Sequence, residues 1–377
     1  MKGSRRSARF IALALALSCL GAALAEGDRP VPAAPGGEGT PFTVLCYHRF
    51  VARPETLKKA ESQYQLSLSE FQWQMQYLKD NGITPVSLEE LEAYWFDGKP
   101  LPPKPVLLTF DDGFKSIYEK AYPVVKEFGC PAVLFLYTDF VRGQKDSVKY
   151  AEIEEMRKNG WAVESHTKSH MNLGVEGEKR ETADYRKLVA KELSDPLTFI
   201  REKFGARATA LAYPYGIFTE EVLKQAKAMD YRLAFTVNPG ANDRRVPRLK
   251  LRRNLVLFPV SHKAFSKIFE KNVLHLEKFI PGDGDFIVNN SPILTVEIED
   301  EIVPRTLKFK LGAKFMKFTY DPKTRLLQHR IVGALKPGGH TVTLEAKDVE
   351  GNWRSYSWYF RVKHRNWEKP GETDEKK

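Results

Sequence analysis

Cysteine is scarce in this 377-residue chain, at 3 residues, which excludes a fold stapled together by several disulfides. Cys19 falls in an N-terminal apolar run, and Cys46 and Cys130 each sit beside an apolar, strand-like segment. The latter two are expected as buried thiols rather than a bridge, because cysteine packs as a small hydrophobe. Beyond the N-terminal run no stretch approaches the roughly 20 apolar residues that cross a bilayer, so no transmembrane span is expected in the mature form. Motifs for nucleic-acid binding are also lacking. The N-terminal run itself, Phe10 to Leu24, follows Lys2, Arg5, Arg6 and Arg9 and ends in Ala23-Leu24-Ala25. That is the layout of a secretory signal peptide, cleaved after Ala25. Lipidation at Cys19 is the lesser alternative, since Ala16-Leu17-Ser18 matches a lipoprotein site poorly. The expected location is therefore the periplasm, the cell envelope or the extracellular space. Loss of the four signal cations takes the formal charge from +11 to +7, a balance suited to acidic envelope polymers or lipid head groups.

The length fits two domains. Residues 1–25 form the signal, and the Pro/Gly/Ala-rich stretch 26–41 reads as a linker. From 42 to 280, continuous apolar runs alternate with amphipathic patterns. Strands are expected at Thr43 to Tyr47, Pro105 to Phe110, Ala132 to Tyr137, Trp161 to Glu164, Thr209 to Tyr213 and Leu233 to Val237. Unbroken apolar runs indicate buried parallel strands, and the helical patterns between them indicate an α/β domain, open or closed as a barrel. Ser67 with Glu70 and Ser87 with Glu90 mark helix starts. After Pro281-Gly282-Asp283-Gly284 the helical period disappears. Residues 285–363 show only alternating strands, such as Val342 to Ala346 and Tyr356 to Val362, the pattern of an all-β, immunoglobulin-like sandwich. Its aromatics are expected as core rather than a sugar platform, because a period of two buries one sheet face. A charged tail, 364–377, closes the chain.

Two segments carry chemistry. Thr109-Phe110-Asp111-Asp112-Gly113 follows an apolar strand. Adjacent carboxylates at a strand end are costly to bury without a cation or a proton between them, although a solvated turn would also accommodate them. Glu164-Ser165-His166-Thr167-Lys168-Ser169-His170 follows another strand, and two histidines four apart share a face if that segment is a helical turn. Together the segments offer two nitrogens and an oxygen, a set suited to zinc or a similar divalent ion with positions left for water and substrate.

With Ala212-Tyr213-Pro214-Tyr215-Gly216 following in order, these motifs resemble the polysaccharide deacetylase (NodB-homology) family of carbohydrate esterases, over about Phe42 to Ile280. His48 in Tyr47-His48-Arg49-Phe50 is similar to the variety that includes poly-β-1,6-N-acetylglucosamine N-deacetylases. The resemblance implies a distorted (β/α) barrel and removal of acetyl groups from an N-acetylated polysaccharide. It implies Asp111 as catalytic base, Asp112, His166 and His170 as ligands of a divalent metal, Zn2+ first among them, and the Tyr215 N–H as an oxyanion donor. His48, Tyr213, Pro214 and Arg253 are the expected substrate-binding set. Many relatives carry an arginine where this chain has Ala212, and Arg253 is the candidate replacement partner for the catalytic aspartate. The leaving-group acid has no clear motif, and His262 is the weak candidate. Two other readings stay open: a non-catalytic glycan-binding envelope protein whose sandwich docks a protein partner, and an amidohydrolase of a small non-sugar amide.

Overall fold

Continuous apolar runs build the first sheet. Strands β1 (Phe42–Tyr47), β2 (Pro105–Asp112), β3 (Ala132–Leu136), β4 (Trp161–Ser165), β5 (Ala210–Ala212) and β6 (Leu233–Phe235) lie side by side in that order, all parallel. The computed structural model describes residues 39–52, 63–174, 182–288 and 290–363. The expected signal peptide, the charged tail and all but the end of the expected linker lie outside the described residues.

Alternate residues of these strands enter two different cores, as the two-residue period requires. Leu107, Val133, Phe135, Leu233 and Phe235 pack together with Leu91 and Trp95, which belong to helix α2 (Leu88–Phe96). Leu108, Phe110, Leu134 and Val163 face the opposite way, against Phe71, Met75 and Leu78 of helix α1 (Leu68–Asp80). Both helices start where expected: Ser67 accepts from the Glu70 N–H, and Ser87 with Glu90 forms a full capping box. Helices α3 (Tyr122–Glu127), α4 (Tyr150–Lys158), α5 (Ala183–Phe204) and α6 (Glu220–Ala228) occupy the other connections.

The sheet curls until its edges meet through one segment. Strand β7 (Ala241–Asn242) pairs antiparallel with β1, while β8 (Asn254–Leu255) pairs parallel with it. Just before β8, the Leu251 N–H donates to Ala234 O and the Thr236 N–H to Leu251 O. The stretch around 251–255 therefore touches β6 at one end and β1 at the other, and Arg253 lies between the two pairings.

A second body of strands follows. β9 (Lys271–Val273), β11 (Phe286–Ile287), β13 (Lys308–Leu311), β14 (Lys314–Phe315), β17 (Gly338–Lys347) and β18 (Trp353–Val362) make one sheet, ordered β9-β18-β17-β13-β14 with β11 also on β18. β10 (Leu276–Ile280), β12 (Ile293–Ile298), β15 (Thr319–Asp321) and β16 (Leu326–Arg330) make the other, ordered β10-β12-β16-β15. Val296, Ile298 and Leu327 from one sheet pack on Val342, Leu344, Trp358 and Phe360 from the other. Trp358 and Phe360 of β18 are thus core, with Tyr356 half-buried against them. β9 and β10 precede the Pro281–Gly284 boundary expected from sequence, yet they pair with β18 and β12. Three and five residues long, they are too short to show a period.

Candidate active site

Leu107, Thr109 and Asp111 share the inward face of β2, so the first aspartate of the pair points into the curled sheet. The second is turned by its backbone. Asp112 has φ 75° and Gly113 φ 83°, and a Cβ at Gly113 would lie 2.6 Å from Leu136 Cδ2 and 2.9 Å from Val141 Cγ1. Glycine is therefore required there. This kink aims Asp112 Oδ1 at the histidines, 3.6 Å from His166 Nε2 and 3.4 Å from His170 Nε2.

His166 follows β4, and its Nδ1 lies 2.7 Å from Ala212 O on β5. A carbonyl only accepts, so Nδ1 carries the proton and Nε2 presents its lone pair, the tautomer a metal needs. Burial pushes His166 down to about 3 and lowers His170 as well. The two rings do not meet through a helical turn. Residues 166–170 are not helical; Thr167 (φ 67°) and His170 (φ 59°) adopt the left-handed conformation instead. A loop stands where the spacing would also have allowed a helical turn, and α5 pins it: Glu192 accepts from the Ser169 N–H at 2.9 Å and from its hydroxyl at 2.8 Å, and the Lys168 N–H donates to Glu192 O.

Asp112 Oδ1 is buried and has no hydrogen-bond partner. An orphaned carboxylate oxygen is costly, and burial followed by the neighbouring Asp111 charge raises Asp112 to about 7. Asp112, His166 and His170 each offer a ligand atom, all within 4.8 Å of one another. The donor set fits a divalent cation, which would satisfy the orphan and relieve the like-charge strain.

Asp111 borders that set, its Oδ2 3.7 Å from His166 Nε2, but both of its oxygens are engaged by a second partner. Arg253 Nη1 and Nη2 donate to its two oxygens at 2.7 and 2.8 Å, with Arg253 itself fully buried and its Nε bonded to Thr236 O at 2.9 Å. Burial alone would raise Asp111, but the guanidinium outweighs it and holds the carboxyl well below the usual range. The two neighbouring aspartates are thereby driven in opposite directions.

The cleft, about 510 Å³, is lined by Asp111, Asp112, both histidines, His48, Tyr215 and Arg253, together with Arg49, Tyr64, Gln65, Phe114 and Val237. Tyr215 has φ 60° and is 58% exposed. His48 lies against the Tyr64 ring at 5.2 Å, and burial takes it down to about 4. Tyr213 borders the cleft but its ring is in the core, with the hydroxyl donating to Leu249 O, so only its main chain is available there. Pro214 is buried and does not line the cleft. Nor does His262, which stacks on Trp73 at 3.5 Å, so the structure does not bring this candidate for the leaving-group acid to the cleft. Arg49, whose guanidinium sits 3.6 Å over Phe114, went unassigned in the sequence, because an arginine beside a histidine carries no spacing signal.

The polysaccharide deacetylase model matches residues 98–234. YxkH of Bacillus subtilis, a provisionally named polysaccharide deacetylase, is 31% identical over 202 residues, 53% of this chain and 69% of that protein. The chain belongs to the polysaccharide deacetylase family. Another relative, the poly-beta-1,6-N-acetyl-D-glucosamine N-deacetylase of Staphylococcus aureus, is 30% identical over 196 residues, 49% of this chain and 67% of that one. Among solved structures, the deacetylase PplD of Streptococcus pyogenes in complex with acetate superposes with a TM-score of 0.55 at 23% identity, over 62% of this chain and 99% of that one. IcaB from Ammonifex degensii gives 0.51 at 26%, over 62% and 97%. The polysaccharide deacetylase match contains both aspartates, both histidines and the Tyr213–Gly216 turn, whereas Arg253 and the sandwich lie beyond it.

Proposed function

We propose that this chain is an exported, metal-dependent N-deacetylase that frees amines on N-acetylhexosamine units of an envelope or extracellular polymer, poly-N-acetylglucosamine ahead of peptidoglycan or chitin-like chains. The observation that carries the chemistry is the division of labour between adjacent carboxylates: Asp112 buried and orphaned toward two imidazoles, Asp111 ionised and clamped by Arg253. The 30% identity to a named poly-N-acetylglucosamine deacetylase supports the polymer, and the signal-like N-terminus supports export.

A divalent ion held by Asp112, His166 and His170 would supply Lewis acidity at the acetamide carbonyl and a more acidic water. Asp111, unligated, accepts the proton of the attacking water. The Tyr215 N–H lies in the first turn of the 3-10 helix Pro214–Gly216, where main-chain donors lack a partner within the helix, and it serves the oxygen on which charge builds. Water oxygen bonds to the carbonyl carbon, the C–N bond breaks, and acetate and an amine depart. We assign the amine's proton to His48, which lines the cleft and offers a ring nitrogen within 4.8 Å of a carboxylate oxygen of Asp111. A proton caught by Asp111 passes on to this ring and from there to the amine. Acetate release from acetylated glucosamine oligomers, with and without a chelator, tests the reading. Release abolished by the chelator and restored by Zn2+ is the expected result, and no release from any oligomer would overturn it.

A further inference from the structure

Among the described residues, those lining the cleft end at Leu255, so no described residue of the sandwich lines it. The sandwich nevertheless grips the segments that do. The Arg252 guanidinium, 2% exposed, lies 3.7 Å over the Tyr356 ring on β18, and its Nε points at Ser357 O at 3.4 Å. In the turn that leads into the sandwich, Asp283 Oδ1 accepts from Asn238 Nδ2 and from the Tyr359 N–H, both at 3.1 Å. Arg361 donates to Gly174 O, four residues past His170.

These grips converge on one residue. Arg252 is the chain neighbour of Arg253, and Asn238 O accepts the Arg253 N–H at 3.1 Å. Arg253 thus has a sandwich-anchored residue on each side of its own main chain, while its guanidinium holds both oxygens of Asp111. An arginine on the sheet-closing segment has few neighbours of regular secondary structure to fix it, since β8 is two residues long. The barrel holds the Arg253 guanidinium through Thr236 O and Thr109 Oγ1, and the sandwich contacts on Arg252 and Asn238 add to that hold.

We propose that Tyr356 and Asp283 are positioning residues for deacetylation, acting through Arg252 and Asn238 to hold Arg253 and so orient Asp111. The inference rests on Asp111 being the base, as argued above. It predicts that the sandwich is part of the catalytic machinery without touching substrate.

The experiment compares wild type with Tyr356→Leu, Tyr356→Phe, Asp283→Ala and Asp111→Asn in the full chain, measuring kcat and KM on a short acetylated oligomer, metal content, and hydrogen exchange of residues 236–255. Tyr356→Leu and Asp283→Ala should each lower kcat about tenfold, the scale of a sub-ångström misplacement of a reacting group. KM should stay within about twofold in each, metal content should be unchanged, and exchange in 236–255 should be faster. Tyr356→Phe, which keeps the ring under Arg252, should be close to wild type. Asp283→Ala decides alone if Tyr356→Leu does not fold. Full kcat in the folded variants, or a loss matched by loss of metal, overturns the proposal. An active Asp111→Asn enzyme overturns instead the role of the base, so the two failures are distinguishable.

Discussion

Neighbouring residues of one type do opposite work at the end of β2, and substitutions should separate them. His166→Ala should lose the metal, measured by elemental analysis of the purified protein, because it removes one of three ligands. Asp111→Asn should keep the metal and lose activity by about 10² or more, the scale of general-base catalysis. The pH dependence of metal binding should follow the carboxylate rather than the imidazoles. Asp112 is held near 7 without a cation, whereas burial takes His166 down to about 3. Protons therefore compete for Asp112 as pH falls through about 7, while His166 remains a free base. Metal affinity measured by titration should weaken below that point, and an affinity flat down to pH 5 would contradict it. The carboxylate pair, the histidine pair and Tyr215 were visible in the sequence as strings. Arg253 was visible only as a gap at Ala212 awaiting a partner, and the conformation that joins His166 to His170 was not visible at all. Spacing of four reports a helical face only if the segment is a helix, and a left-handed loop gives the same meeting with no periodic trace.

Among the helices, α5 is one whose loss of a single side chain should reach the site. Glu192, 4% exposed, ties Ser169 between the two histidines. Glu192→Ala should weaken metal affinity by roughly 10- to 100-fold, as for groups that orient ligands from behind, with far-UV circular dichroism unchanged. An unaltered affinity would mean that the loop is self-supporting. The six parallel strands were legible to within a few residues because long apolar runs have few alternative placements. The strands that resisted reading are short ones, β7 to β9, whose pairing comes from the tertiary partner and not from their own pattern. The register of β7 and β8 is set by the closing of the sheet and that of β9 by its pairing with β18, which no local window contains.

At the scale of the molecule, the described residues fall in one compact unit, and an ion ladder crosses from barrel to sandwich. His275 Nε2 lies 2.8 Å from Asp243 and Nδ1 2.9 Å from Asp300. Burial would lower this histidine, but the two carboxylates outweigh it and raise it from 6.5 to about 9. A group with a raised folded-state pKa stabilises fully below its unfolded value and loses that contribution as pH climbs through the folded one. Thermal stability should therefore decline between about pH 6.5 and 9, and His275→Gln should flatten that decline while lowering the melting temperature at pH 6. A chain ending at Gly284 should be insoluble or inactive, since it strands β9 and β10 without partners and frees Arg252; full activity on short oligomers would show that barrel and sandwich are independent.

The clamp on Asp111 also bears on how such sites are found. A guanidinium is needed at one point in space, and the strand that delivers it is immaterial. Here it arrives 41 positions later in the chain than the alanine that stands in the usual place. A motif that demands the arginine at the position of Ala212 would grade this site as degenerate, while a query built on the Arg–Asp fork and the two imidazoles would score it as complete. In other chains that lack the arginine, the segment that closes the sheet is the place where its substitute would arrive.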